Sequence, residues 1–265
     1  VTVTDRFSVA SYQKALQIVK DLTFSAVKQL LNLVPQGDIN QIPVVVYNAT
    51  GWARTDITAC TIHYPKNWKG LEIKDGNGNT VPVEVIKHIS EQQSIEVAFL
   101  VRDIPSFGFK TYYATAVKSF PKGNVKIKAD ALENELIKVK FGPGGITSLY
   151  DKISKKEVLR TDKFFGGEVI QMTAPDMAWE SFAIVNMTDF DKTSLHEFKT
   201  IRAEESSIRC IIEKEAKLKY FTLRERYILN KHSRELVIEA DILNWTGEKK
   251  KELRIVFPIN MDKSF

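Results

Sequence analysis

The chain has 265 residues, a formal net charge of +5, 43% hydrophobic residues and 27% charged residues. That is the composition of a soluble globular protein, long enough for one large domain or two smaller ones. No apolar run reaches the roughly 18 residues of a membrane span. Val1 opens without Met, a charged segment or an apolar run. A signal peptide is therefore not expected there, and the missing Met points to processing or to a piece of something longer.

Residues 5–34 are the one strong helical pattern. Val9, Tyr12, Leu16, Val19, Ala26, Leu30 and Leu33 recur at three- and four-residue spacing. Ile18, Phe24, Val27, Leu31 and Val34 widen the stripe to a second face. Pro35-Gln-Gly37-Asp38 stops the helix. Such a helix asks for partners on two sides. It either packs on the β part of the chain or is the last helix of a bundle.

From Ile42 onward the pattern is almost all β. Strands are expected at 43–48, 57–65, 94–101 and 107–117, with Asp75-Gly-Asn-Gly-Asn79 as a turn. Residues 118–123 read as a linker, so a boundary falls near 118–128. A second β unit opens with Leu132–Leu159. There Ile137, Val139 and Phe141 alternate with Lys138 and Lys140, and Gly142-Pro143-Gly144-Gly145 turns the chain. Further strands are expected at 168–172, 197–203, 207–216, 219–229, 235–243 and 252–259. Strands this regular, with no helix between them, predict an antiparallel sandwich.

Chemistry-bearing patterns are sparse. There is no GxGxxG, P-loop or GxSxG. His63, His88, His196 and His232 show no metal-ligand spacing. Cys60 and Cys210 are read as free thiols. Lys249-Lys250-Lys251 is read as a solvated turn and not a nucleic-acid patch, because no aromatic residues interleave with it. Asn48-Ala-Thr, Asn186-Met-Thr and Asn244-Trp-Thr fit the glycosylation sequon.

One stretch departs from the strand pattern: Thr173-Ala-Pro-Asp176-Met-Ala-Trp179-Glu180-Ser-Phe182. An aromatic ring flanked by two carboxylates can stack on a sugar and accept from its hydroxyls. Asp176 and Glu180 can also be pictured as a glycosidase carboxylate pair. The plain alternative is that Trp179 plugs the sandwich edge while the acids face water.

Four stretches together resemble the C-terminal half of glycoside hydrolase family 38, the α-mannosidases. VVVYNATGWARTDI (44–57) is similar to the family's F-N-P-x-x-W-x-R-x-D strand. Tyr47-Asn48 stands for Phe-Asn, and Trp52, Arg54 and Asp56 match. Asp75–Pro82 resembles its next turn. LENELIKVKFGPGGITSLYDKISKKEVL is similar to L-E-N-x-x-x-x-V-x-F … G-x-I-x-S-L-x-D-K. Asn244-Trp245 with LRIVFPIN (253–260) resembles D-W … L-K-V-x-F-P. Met177 and Asn244 stand where the family has acids, so no catalytic residue is carried over.

The resemblance implies a mainly β fold: a small β-sandwich, then a galactose-mutarotase-like supersandwich whose closing strands lie beyond Phe265. One helix from a helical bundle precedes them. The expected division is 1–38, 39–120 and 121–265. It also implies a parent that hydrolyses terminal α-mannosides by a retaining mechanism. The parent's barrel would carry the zinc, and this chain would carry neither metal nor catalytic residues. Asp176, Trp179 and Glu180 are the expected carbohydrate contacts. The expected partners are mannosides and the parent's own barrel and helical domain, with neither nucleic acid nor membrane. The alternative is a free-standing carbohydrate-binding or interaction module.

Overall fold

The structure, a computed structural model, describes residues 3–32, 34, 38, 40–173 and 188–261. It divides into two compact units, Val1–Lys122 and Gly123–Phe265.

The first unit starts with helix α1 (Val3–Leu31). Its end is tightened by Asn32 and Val34 N–H groups bonding Gln29 and Leu31 carbonyls. Phe7, Tyr12, Leu16, Val19 and Phe24 along it are exposed. Among the described residues, most of the apolar stripe read from the sequence is therefore exposed, and Val34 at its end is buried.

Seven strands follow: β1 (Gln41–Tyr47), β2 (Arg54–His63), β3 (Leu71–Lys74), β4 (Thr80–Val81), β5 (Val83–Ile89), β6 (Ser94–Ile104) and β7 (Phe109–Ala116). They form two antiparallel sheets, ordered β1-β7-β3-β4 and β2-β6-β5. Ile95, Val97, Phe99 and Val101 alternate along β6 and are all buried. They meet Leu71, Ile73, Tyr112 and Ala114 of the other sheet in one core. Phe99 and Tyr112 pack edge to face with ring centroids 5.2 Å apart. Asp75 makes the predicted turn by accepting the Asn77 and Asn79 N–H groups on one oxygen.

The second unit holds β8 (Val125–Lys126), β9 (Ala131–Glu133), β10 (Ile137–Phe141), β11 (Ile146–Asp151), β12 (Lys156–Glu157), β13 (Glu168–Thr173), β14 (Thr188–Lys192), β15 (Lys199–Glu205), β16 (Arg209–Lys217), β17 (Thr222–Asn230), β18 (Leu236–Leu243) and β19 (Lys251–Val256). Three antiparallel sheets result: β12-β11-β10-β9, β18-β17-β16-β15-β8 and β14-β13-β19. Leu132, Ile137, Val139 and Ile146 of the first sheet share a core with Ile212, Leu223, Tyr227 and Leu229 of the second. The fold is mainly β, a small sandwich followed by a larger one.

Some elements differ from the sequence pattern. The apparent run from Leu132 to Phe141 is two strands, because Asn134 interrupts it. Its Oδ1 accepts the Leu136 and Ile137 N–H groups, and its Nδ2 donates to the Asn230 and Ser233 carbonyls. β17 starts at Thr222 because Leu218 N–H and the Phe221 carbonyl close a turn first. β19 stops at Val256, just before Pro258, which has no N–H to give a ladder. β14 was not expected at all. The Lys249–Lys251 run is only partly a solvated turn: Lys250 sits in it at φ +59°, whereas Lys251 opens β19 with its side chain buried.

Candidate functional site at the root of the 174–187 segment

Asp176, Trp179 and Glu180 lie outside the described residues. The structure does show how the chain leaves and re-enters around them. β13 ends at Thr173, β14 begins at Thr188, and those two residues are cross-strand partners. The segment 174–187 is thus anchored at both ends on neighbouring positions of one sheet.

A charged knot ties this root. Asp189 accepts from Lys219 Nζ at 2.6 Å, Lys251 Nζ at 2.7 Å, Tyr220 Oη at 2.9 Å and Thr173 Oγ1 at 3.3 Å. Lys251 Nζ also donates to Thr173 Oγ1 at 2.6 Å and lies 4.1 Å from the Tyr220 ring centroid. The Lys251 side chain is only 6% exposed, so its charge is balanced by Asp189 and the aromatic face. The two ammonium groups and the tyrosine hydroxyl hold Asp189 far below the usual carboxylate range. Asp189 in turn raises Lys219 and Lys251. A carboxylate held this way is a poor proton carrier at neutral pH and a good clamp.

Asp189 has φ +52°, a left-handed conformation that Asp tolerates better than most residues. That turn aims its carboxylate at Lys219 and Lys251 while its carbonyl accepts from Gln171 Nε2 at 3.3 Å. Gln171 is fully buried, and its Oε1 has no partner among the described residues.

A second layer supports the first. Buried Asp191 accepts from His196 Nε2 at 2.7 Å and from the Lys219 N–H at 3.2 Å. Fully buried Glu168 accepts the Phe165 and Ser194 N–H groups at 3.0 and 3.3 Å and faces Lys192 Nζ at 3.5 Å. None of these partners was legible in sequence. Asp189, Lys219 and Lys251 are far apart along the chain: the pairing of β13 with β14 and β19 brings Asp189 to Lys251, and the turn between β16 and β17 brings in Lys219.

Two more clusters bear on chemistry. In the second unit's core, Glu225 and Lys214 are cross-strand partners, and Tyr227 Oη donates to Glu225. All three are buried, so no substrate reaches them. In the first unit, Asn48 Nδ2 donates to the Trp52, Ile104 and Pro105 carbonyls at 2.7, 3.2 and 3.1 Å. Asn48 is 3% exposed. This sequon asparagine has no free amide to modify.

Among the described residues, no group of three or more His, Cys, Asp or Glu side chains is placed to hold a metal ion. Both cysteines are free, with burial pushing each thiol up to about 11. Among the described residues no helix is long and apolar enough to cross a membrane.

The fold defines a mainly β chain of two antiparallel sandwich units. The model of the glycosyl hydrolases family 38 C-terminal domain matches residues 132–265. The chain belongs to glycoside hydrolase family 38. A search of curated proteins gave no match. Among solved structures, the chain is similar to an alpha-mannosidase from Enterococcus faecalis V583, with a TM-score of 0.70 and 14% identity over 96% of this chain and 36% of that one. It is also similar to a protein in the Glycosyl Hydrolase Family 38 from Enterococcus faecalis, with a TM-score of 0.69 and 16% identity over 96% of this chain and 37% of that one. At such identities these likenesses establish the fold. The chain spans little more than a third of either protein.

Proposed function

We propose that this chain is the non-catalytic β region of an α-mannosidase-like glycoside hydrolase whose parent cleaves terminal α-mannosides. The family assignment supports the substrate class, and the zinc and catalytic aspartates of the retaining reaction would belong to a part of the parent outside this chain. The region's role is to scaffold the parent and to present the 174–187 segment, with Asp176, Trp179 and Glu180, to carbohydrate.

The observation that carries this reading is the match of the family 38 C-terminal domain to residues 132–265, and the Asp189 knot marks where the 174–187 segment joins the sheet. A buried lysine is neutralised at the root of one segment, and both ends of that segment are fixed to adjacent strands. Anchoring of this kind fixes the two points at which the chain leaves and re-enters the sheet around Asp176, Trp179 and Glu180. The test is an aryl α-mannoside assay of the 265-residue chain with and without added zinc. No turnover is expected, and zinc-dependent turnover by this chain would overturn the non-catalytic assignment. Calorimetric titration with mannobiose, repeated on Trp179→Ala, checks the contact role. Unchanged binding in that variant removes Trp179 from it.

A further inference from the structure

The tip of the first unit carries a feature that lies apart in sequence from the 174–187 segment. β1 and β2 are each the end strand of their sheet. Between them a cleft of about 180 Å³ is lined by Tyr47, Asn48, Arg54, Asp56 and Thr58, with Val101 and Ile104 of β6 behind. The cleft has a rigid floor. Asn48 Nδ2 closes the β1–β2 loop on the Trp52 carbonyl and ties that loop to the end of β6 and the β6–β7 turn through the Ile104 and Pro105 carbonyls. The Phe107 N–H adds a further tie to the Thr50 carbonyl at 3.0 Å.

Two large aromatic residues stand out from this tip. Trp52 is 67% exposed and Phe107 is 69% exposed. Phe107 has φ +47°, a conformation that bulky residues rarely adopt. A Cβ at Gly51, beside Trp52, would lie 3.6 Å from the Phe107 ring, so the two loops meet at this point. Backbone strain that leaves an aromatic ring in water destabilises the isolated fold on two counts, which is the signature of a contact surface.

The polar chemistry of the cleft selects the ligand. Arg54 gives one guanidinium N–H to Asp56, while Asp56 Oδ1 accepts the Ile57 N–H at 2.8 Å. The other Arg54 N–H groups have no bonded partner among the described residues, and the side chains are half exposed. A fixed donor beside a fixed acceptor matches two neighbouring hydroxyls of a sugar, one accepting and one donating. Tyr47 lines the same cleft and is partly exposed, so it can offer a ring face. The cleft is smaller than pockets that enclose a drug-sized ligand, which suits a single ring held at a shallow edge.

We infer that the Tyr47–Arg54–Asp56 cleft is a saccharide-binding subsite, separate from the 174–187 segment, that takes one pyranose ring of a glycan. The inference rests on the glycosidase reading above. It is tested by saturation-transfer NMR and calorimetry of the full chain with mannose and mannobiose. The variants are Arg54→Ala, Asp56→Asn and Trp179→Ala, each checked by thermal melting. Two separable saccharide sites are expected: Arg54→Ala and Asp56→Asn each weaken one of them at least about tenfold and leave the other, and Trp179→Ala weakens the second and leaves the Arg54–Asp56 site intact. Binding lost only in Trp179→Ala overturns the subsite and leaves the proposed function standing. Absence of any saccharide binding to the unmodified chain also overturns it, and points to a protein surface as the occupant of the aromatic tip. Because Asp56→Asn keeps the side-chain shape, a folding failure in Arg54→Ala leaves a second reading of the same site.

Discussion

Lys214 and Glu225 face each other across the β16–β17 ladder, and both are buried in the larger sandwich. The Lys214 ammonium lies 4.9 Å from the Phe198 ring centroid, and Glu225 accepts the Tyr227 hydroxyl. Burial lowers the Lys214 pKa and raises the Glu225 carboxyl to about 7. Both shifts have one cause: a charged group here lacks the water it had in the unfolded chain.

That arrangement fixes a direction of pH dependence. In the unfolded chain Glu225 loses its proton near 4.5, and in the folded chain near 7. Between those values the folded state holds a proton the unfolded state has released. Stability therefore falls as pH rises through this window and levels off above it, by about 3 kcal/mol for this group alone. Glu225→Gln keeps an acceptor for Tyr227 and removes the titration. Urea unfolding at pH 5 and pH 8 is the check. The variant is expected to be relatively more stable at pH 8, and equal pH slopes in the two proteins would refute the assignment.

The Asp189 knot has the opposite sign. Its carboxylate is depressed by Lys219, Lys251 and Tyr220, so its stabilisation is complete above about pH 4 and is lost as pH falls further. Asp189→Asn keeps a residue that tolerates positive φ but leaves the buried Lys251 ammonium without its counter-charge. A lower urea midpoint at pH 7 is expected, together with faster protease cleavage between residues 174 and 187. If the midpoint drops while cleavage there is unchanged, the knot does not anchor the segment.

Much of the fold follows from local rules that the sequence states openly. The alternation in β6 and β10, the Asp75 turn and the Gly142–Gly145 turn are short-range patterns, and they fold as such. What stayed hidden depends on pairing. β14 carries Thr-Asp-Phe-Asp-Lys, a polar run with no apolar alternation to mark a strand. It becomes one because β13 offers it a free ladder. Asp189 and Lys251 then meet only because β14 and β19 flank the same strand. A sequence search ranks Trp179 by its chemistry; it has no means of ranking Lys251, which reads as one more lysine in a basic run.

Gly145 tests the turn that opens the larger sandwich. It sits at φ +147°, and a Cβ there would lie 2.5 Å from the Gly166 carbonyl oxygen. That carbonyl accepts the Ile146 N–H at 2.8 Å, while the Gly166 N–H returns to Ile146 at 2.9 Å. Gly145→Ala must therefore break a paired backbone or distort the turn, at about 2 kcal/mol or more. Gly123→Ala is the control, with open space around the site and no positive φ, and is expected within about 0.5 kcal/mol of the parent. Similar midpoints for the two variants would show that the close approach at Gly145 is not a constraint.

Asn48 separates a sequence pattern from its physical meaning. Three sequons are written in the chain, but the Asn48 amide is buried and donates to three carbonyls, whereas Asn244 is exposed in a turn at φ +54°. When the chain is secreted from a glycosylating host, peptide mass spectrometry is expected to find Asn244 modified and Asn48 bare. Asn48→Ala leaves the Trp52, Ile104 and Pro105 carbonyls without their donor, so it should cost on the order of 3 kcal/mol. It should also weaken any saccharide binding at the Arg54–Asp56 cleft, because that floor would no longer be tied. A glycan on Asn48 in the folded protein would contradict the burial and the bonding at once. So would an alanine variant as stable as the parent.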